Sequence, residues 1–298
     1  LTLLPLAQHE TAQPQKLNLL AALSQLFKLK QTALLVFTGI LGFLISSHWL
    51  IDSRLLHLIL ALALAISGTT GLNMFFDRDI DALMFRTRQR PLPSGSFSAG
   101  AALIISSTLL GIGLILAWRI NYLCGILILA GFLINILLYT ILLKRRTAFG
   151  LVIGSLAGGM PVVAGYTAWS SQIDVISLIL FFLVAVWSLA HIWLIAAYYR
   201  SDYRRASLPI LSVTAGEEAG TKAAGIAILV FNFLVFLLWQ LNFTSLLPFL
   251  GSSFLSLLLF YQLNLYLRGG NKFHLSRGFK FLNPLLGITL LLLLFFLK

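Results

Sequence analysis

The densest group of side chains able to do chemistry is the run Asn73-Met74-Phe75-Phe76-Asp77-Arg78-Asp79-Ile80-Asp81, followed by Arg86, Arg88, Arg90 and Pro91. On a helix Asn73, Asp77 and Asp81 stand at i, i+4 and i+8, so they share one face, each about 6 Å from the next. Three oxygen-bearing side chains in a row suit a hard divalent cation, above all Mg²⁺, which takes one or two carboxylates and fills its other positions with water and phosphate oxygens. With the arginines behind it, the row describes a site for a polyanionic phosphate bridged by metal. Asp79 points away from the row, and Asp79 or Arg78 could pair with loop charges. The alternative is a solvated loop whose Asp and Arg residues balance one another, but carboxylates that border a membrane interior are costly without partners and mark function by default.

A second polar region runs from His191 and Trp193 through Tyr198-Tyr199-Arg200-Ser201-Asp202-Tyr203-Arg204-Arg205 to Pro209. A single His on an apolar helix reads either as a hydrogen-bonded packing residue or as a ligand. His191 lies about three turns before Asp202, so an unbroken helix would put both on one side. No Ser or Cys sits beside a His in a nucleophile motif, and neither a phosphate-cradling loop nor a dinucleotide glycine pattern occurs. Gly154, Gly158, Gly159 and Gly165 fall inside one apolar helix and read as close helix packing. His9, His48, His57 and His274 show no metal-ligand spacing, and Cys124, the one cysteine, reads as a small buried hydrophobe.

The elements that must position these residues follow from composition. Of 298 residues 59% are hydrophobic and 10% charged, with a mean hydropathy of +0.96, which excludes a water-soluble globule and requires lipid as solvent. The fold class expected is an all-α polytopic membrane protein with nine spans, near 32–51, 55–76, 97–118, 122–143, 149–169, 173–199, 223–241, 246–267 and 281–297. Before them, residues 1–31 form an N-terminal segment in which Lys16, Lys28 and Lys30 flank an apolar stripe (Leu19, Leu20, Leu23, Leu26, Phe27), the pattern of a short interfacial helix. Residues 32–298 form one membrane domain. The start of the chain fits neither a secretory signal nor an Arg-rich transit peptide. The net charge of +12 would suggest nucleic acid in a soluble protein; here eighteen of the 21 Lys and Arg fall on one side of the nine spans, the positive-inside pattern. No nucleic-acid partner is expected. The N-terminus and the polar loops after spans two, four and six are expected on the cytoplasmic side.

The string Asn73-x-x-x-Asp77-Arg78-Asp79-Ile80-Asp81-x-x-Met84-x-Arg86-Thr87-x-x-Arg90-Pro91 resembles the first aspartate-rich motif of the UbiA-type intramembrane prenyltransferase superfamily, in the form used by protohaem IX farnesyltransferases. The likeness continues in order through Tyr139-Thr140, Leu143-Lys144-Arg145-Arg146-Thr147, Val152-Ile153-Gly154, Pro161, His191, Trp193, Asp202-Tyr203, Ala206 and Pro209. Quinone-type members place an Asp directly after the motif Asn and carry a second Asp-x-x-x-Asp, where this chain has Met74 and Ala206. Further departures from the farnesyltransferase pattern stand at Gly150, Ala190, Ser201 and Ser207.

The resemblance implies a nine-helix bundle in the cytoplasmic (inner) membrane, with farnesyl diphosphate and haem b as substrates and haem O and diphosphate as products. It places Mg²⁺ on Asp77 and Asp81, with Asn73 orienting a ligand or water and Asp202 assisting with metal or diphosphate. Arg86, Arg90, Lys144 and Arg145 would hold the diphosphate; Tyr203 would orient the tail or the cation, and His191 would contact the porphyrin iron or a propionate, apolar packing remaining its other reading. Haem O would pass to a haem A synthase or a terminal oxidase. Two other readings are a prenyltransferase of another aromatic acceptor and, on fewer grounds, a transporter using the same acids for ion coupling.

Overall fold

The computed structural model describes residues 18–297, and every described regular element is helical. A short α1 (Leu19–Leu26) precedes α2 (Leu29–Ser47), α3 (Ser53–Leu83), α4 (Ala99–Ile120) and α5 (Tyr122–Phe132), which continues without a break as a π-helix (Leu133–Leu143). Then follow α6 (Gly150–Ser170), α7 (Val175–Tyr198), the short α8 (Arg200–Arg205) and α9 (Leu211–Thr214), and α10 (Glu217–Gln240), α11 (Leu247–Gly269) and α12 (Lys272–Phe296). Among the described residues nine helices are long and apolar enough to cross a membrane, counting α5 and its π continuation as one. Lipid accepts only segments whose backbone groups are satisfied internally, and a helix meets that condition.

Consecutive long helices pack as neighbours, and α2 also lies along α6 while α12 returns to α7 and α2, so the chain closes round a central space. One apolar core joins α6, α7, α10, α11 and α12; a second joins α2 to α6. Outward-facing Ile104, Ile115, Phe233 and Leu257 are exposed along the spans and face lipid. The contact of α2 with α6 depends on glycine. A Cβ at Gly42 would come within van der Waals overlap of the Val162 carbonyl, and one at Gly165 would overlap Gly39 O. With small residues the two backbones touch. This agrees with the packing expected of Gly165, and Gly159 lies as tightly against Phe181.

Three places along these helices bear on function. The apolar second span was expected near 55–76 with the acid row on a helix beyond it, and α3 does run on to Leu83 and carries Asp77 and Asp81 inward. Hydropathy ends a span at its first charges, whereas the helix continues because those carboxylates find partners in the interior. The sixth span, α7, ends near residue 199 as expected, so the unbroken helix that would put His191 and Asp202 on one side is not formed. The helix stops at Tyr198, with Tyr199 at φ −99°, ψ 29°, and α8 begins afresh. Finally α1, expected as a short interfacial helix, packs Leu26 with Met74, Leu92 and Ala102 and also buries Ala22, while Leu19 and Leu20 stay exposed. Lys16 lies outside the described residues.

Candidate active site

The packing of α1 on α3 fixes an elbow. Phe27 ends α1, and its carbonyl accepts hydrogen bonds from the hydroxyls of Thr32 (2.8 Å) and Thr70 (3.1 Å). Lys28 then takes a left-handed conformation, φ 45°, ψ 52°, uncommon for a residue with a Cβ. The turn sends its side chain inward, where Nζ donates to Asn73 Oδ1 at 3.1 Å. From sequence Lys28 reads as a charge flanking the apolar stripe and as part of the basic side, not as a site residue, and the missed signal is its place directly between two helical patterns.

The π-helix makes the opposite wall. Thr140 Oγ1 donates to Asn135 O at 2.8 Å, and the Lys144 amide donates to Tyr139 O, five residues back, also at 2.8 Å. In an α-helix residues nine apart, such as Asn135 and Lys144, would face opposite ways. The wider turn brings Asn135, Tyr139 and Lys144 to the same cavity. Pi-helical segments are rare and concentrate at functional sites.

Between these walls lies a cavity of about 560 Å³. Asn73, Asp77 and Asp81 line it as the helical spacing predicts, and Asp77 and Asp81 are only 3% and 5% exposed. Asn73 Nδ2 donates to Asp77 Oδ2 and to Thr140 Oγ1, each at 3.0 Å. Lys144 Nζ reaches Asp77 Oδ2 at 2.5 Å, and Arg90 Nη1 reaches Asp81 Oδ2 at 2.7 Å. Five cationic side chains, Lys28, Lys30, Arg86, Arg90 and Lys144, share the wall with two carboxylates. The excess positive charge suits a polyanion.

Two of these lysines are pushed in opposite directions. Burial lowers the Lys28 pKa, repulsion from Arg90 adds to it, and attraction from Asp77 and Asp81 offsets only part, leaving it at about 8. Burial alone would lower Lys144 too, but its contact with Asp77 more than compensates and holds it above the usual lysine range.

The remaining expected residues divide by position. Arg86 lines the cavity, its guanidinium 4.8 Å from the Tyr199 ring centre and 3.4 Å from the Tyr203 hydroxyl, and Tyr203 lines it as well. Arg145, expected at the diphosphate, lies outside the cavity wall. It forms a two-pronged pair with the exposed Asp79 at 2.7 Å and donates to Phe76 O, because the residue after Lys144 points away from it. Asp202 is buried but also lies off the cavity wall, beneath the loop that follows α3. His191 does line the cavity, stacked on Trp187 with ring centres 5.3 Å apart. Its Nδ1 is buried without a hydrogen-bond partner, and the ring also meets Phe279 edge-on with centres 6.5 Å apart.

The acids fit a magnesium ion better than a softer metal. Asp77 Oδ1 is buried with no protein partner, and among the described residues no three His, Cys, Asp or Glu side chains gather into a ready-made cage. A site of two carboxylates that leaves room for water and phosphate oxygens is the Mg²⁺ pattern.

The chain resembles known proteins along nearly all its length. A protohaem IX farnesyltransferase of Thermofilum pendens is 44% identical over 72% of this chain and 77% of its own. One of Hyperthermus butylicus is 37% identical over 90% and 92%. Among solved structures, one of a digeranylgeranylglyceryl phosphate synthase superposes with a TM-score of 0.74 at 24% identity, covering 93% of this chain and 97% of that one. A UbiA homologue of Archaeoglobus fulgidus bound to GPP and Mg²⁺ gives 0.65 at 16% identity, covering 92% and 99%. The family model for UbiA prenyltransferases matches residues 35–296, from within α2 to the end of α12 and including the acid row of α3 and the π-helical wall, and the chain is a member of that family.

Proposed function

We propose that this prenyltransferase moves the farnesyl group of farnesyl diphosphate onto a vinyl group of haem b, giving haem O and diphosphate. The observation that carries this is one cavity in which two buried carboxylates and five cations meet walls that are otherwise largely apolar. Asp77 and Asp81 are the residues that would hold Mg²⁺, which supplies charge neutralisation on the departing diphosphate. Asn73, held by Lys28 and Thr140, fixes the side chain of Asp77. Lys28, Arg86, Arg90 and Lys144 bind the phosphate oxygens and offset the charge that grows on them.

The C1–O bond breaks with its electron pair leaving on diphosphate, and the allylic cation lies among Leu62, Ile66, Ile128 and Phe132, which are apolar and offer no nucleophile. Keeping water away preserves the cation until the vinyl carbon attacks. Water then adds to the resulting porphyrin-side cation and loses a proton, leaving the hydroxyethylfarnesyl substituent. Tyr203 orients the chain near Arg86, and the His191 ring, at the cavity wall, lies beside the macrocycle. The basic face is the cytoplasmic face of the cell membrane, and the product passes to a haem A synthase or terminal oxidase.

The test is incubation of purified protein with haem b, farnesyl diphosphate and Mg²⁺, with haem O sought by mass and 4-hydroxybenzoate run as rival acceptor. Haem O that disappears with EDTA is expected. Prenylation of 4-hydroxybenzoate in preference to haem would overturn the assignment.

Lys28 gives this reading a pH dependence. Its folded pKa of about 8 lies below the ordinary lysine value of 10.5, so between these values the unfolded chain holds a proton that the substrate-free fold does not. Folding is therefore penalised by the buried ammonium below pH 8, and the penalty fades as pH rises through that window. Diphosphate binding runs the other way, because it needs the charged form. KM for farnesyl diphosphate is expected to climb above pH 8, and Lys28→Arg, charged throughout, should flatten the climb. Lys28→Met should raise KM about 10- to 100-fold at pH 7, the worth of one charged hydrogen bond.

A further inference from the structure

We infer that Asp202 acts as a clamp that sets Arg86 in place and is not itself a metal ligand. The inference rests on the prenyltransferase reading above. Its carboxylate accepts the backbone amides of Phe85 (Oδ1, 3.2 Å) and Arg86 (Oδ2, 3.1 Å), and Arg205 Nη1 approaches Oδ1 at 3.5 Å. Both oxygens are thus engaged, the residue is 5% exposed, and it does not reach the cavity that Asp77 and Asp81 line.

The next residue completes the grip. Tyr203 meets the Arg86 guanidinium through its hydroxyl at 3.4 Å, so Asp202 and Tyr203 hold the main chain and the side chain of one arginine. Arg205, beside the clamp, lies over the Phe85 ring at 4.0 Å. These contacts tie the loop to α8 just after α3 ends at Leu83 and Met84 turns to an extended conformation.

The position one turn after Asp202 supports the same assignment. Ala206 is buried in an apolar cluster with Ile80, Met84, Leu151 and Leu208. A second carboxylate there would be desolvated among hydrocarbon, which is costly for a charged group. The second acidic segment of this chain is therefore a structural partner of the first, and the phosphate chemistry falls to Asp77, Asp81 and the cavity cations.

The decisive experiment compares the full-length protein with Asp202→Asn, which keeps an oxygen acceptor, and Asp202→Ala, in detergent or nanodiscs. Hydrogen exchange on the substrate-free protein should show faster exchange in 84–90, by about tenfold at Phe85 and Arg86 for the Ala variant. In turnover, KM for farnesyl diphosphate should rise about tenfold in Asp202→Asn with the Mg²⁺ concentration for half-maximal rate unchanged. On an Arg86→Ala background the same substitution should have little further effect, since both changes remove one contribution. A Mg²⁺ requirement raised tenfold, unchanged exchange in 84–90, or additivity with Arg86→Ala would each overturn the clamp. Product identity is measured in the same assays, so loss of the farnesyl transfer reading would show as a different product and leave the exchange result standing.

Discussion

Replacing Asp77 or Asp81 with Asn is expected to lower turnover by about a thousandfold or more, the scale of removing preorganised electrostatic stabilisation of a developing anion, without dislodging the protein from the membrane. The substitution is nearly isosteric. At Asp77 it retains an acceptor for Asn73 and Lys144, and at Asp81 one for Arg90, all of which now contact carboxylate oxygens. What it removes is negative charge from a wall that already holds five cations. If the carboxylates mattered only as counter-charges to the lysine and arginine, their loss would make the cavity more positive and leave the diphosphate bound at least as tightly. If they hold Mg²⁺, kcat falls because the leaving group is no longer neutralised, and excess Mg²⁺ does not restore it. Single-turnover formation of haem O and equilibrium binding of farnesyl diphosphate, measured on the same preparations, separate the two. Full turnover in both variants would refute the metal assignment.

The row of acids was legible because its geometry is local. Spacing of four along a helix decides the face, and hydropathy sets the span whose helical continuation carries it. The same holds for the glycines of α6, whose packing role in the case of Gly165 follows from composition and appears as contact with Gly39 O. What the sequence hid depends on turns that neither hydropathy nor spacing records. The left-handed elbow at Lys28 moves a surface charge to Asn73. The π-helix leaves hydropathy unaltered, yet it decides whether Asn135 and Lys144 share a face. Arg145, in the turn after the π-helix, and Asp202, on α8 where adjacent residues point about 100° apart, belong to motifs whose neighbours line the cavity. Motif membership therefore located the loops correctly and did not say which side chains enter the site.

Lys144→Met is expected to destabilise the protein by about 3–5 kcal/mol, because it leaves the carboxylate of Asp77 buried without its partner. The two side chains are 15% and 4% exposed and 2.5 Å apart, so the pair has little water to fall back on. The attraction that raises Lys144 above the usual lysine range is the same attraction seen from the other side. A lower thermal inactivation midpoint in detergent would report the loss. Three further outcomes give the prediction its content. Mg²⁺ with inorganic diphosphate should recover part of the lost stability in Lys144→Met, since a ligand that binds only the folded state stabilises it and a cation at Asp77 replaces the missing charge. The double variant Asp77→Asn with Lys144→Met should regain most of the stability with no added ion, as a neutral pair no longer buries a lone charge. Yet it should remain inactive, because stability then rests on packing and hydrogen bonds while the diphosphate has lost both the carboxylate for its metal and the lysine for its oxygens. If the double variant is as unstable as Lys144→Met alone, the lysine is held by something other than Asp77, and the view of this wall as a charge pair waiting for a metal and a polyanion fails.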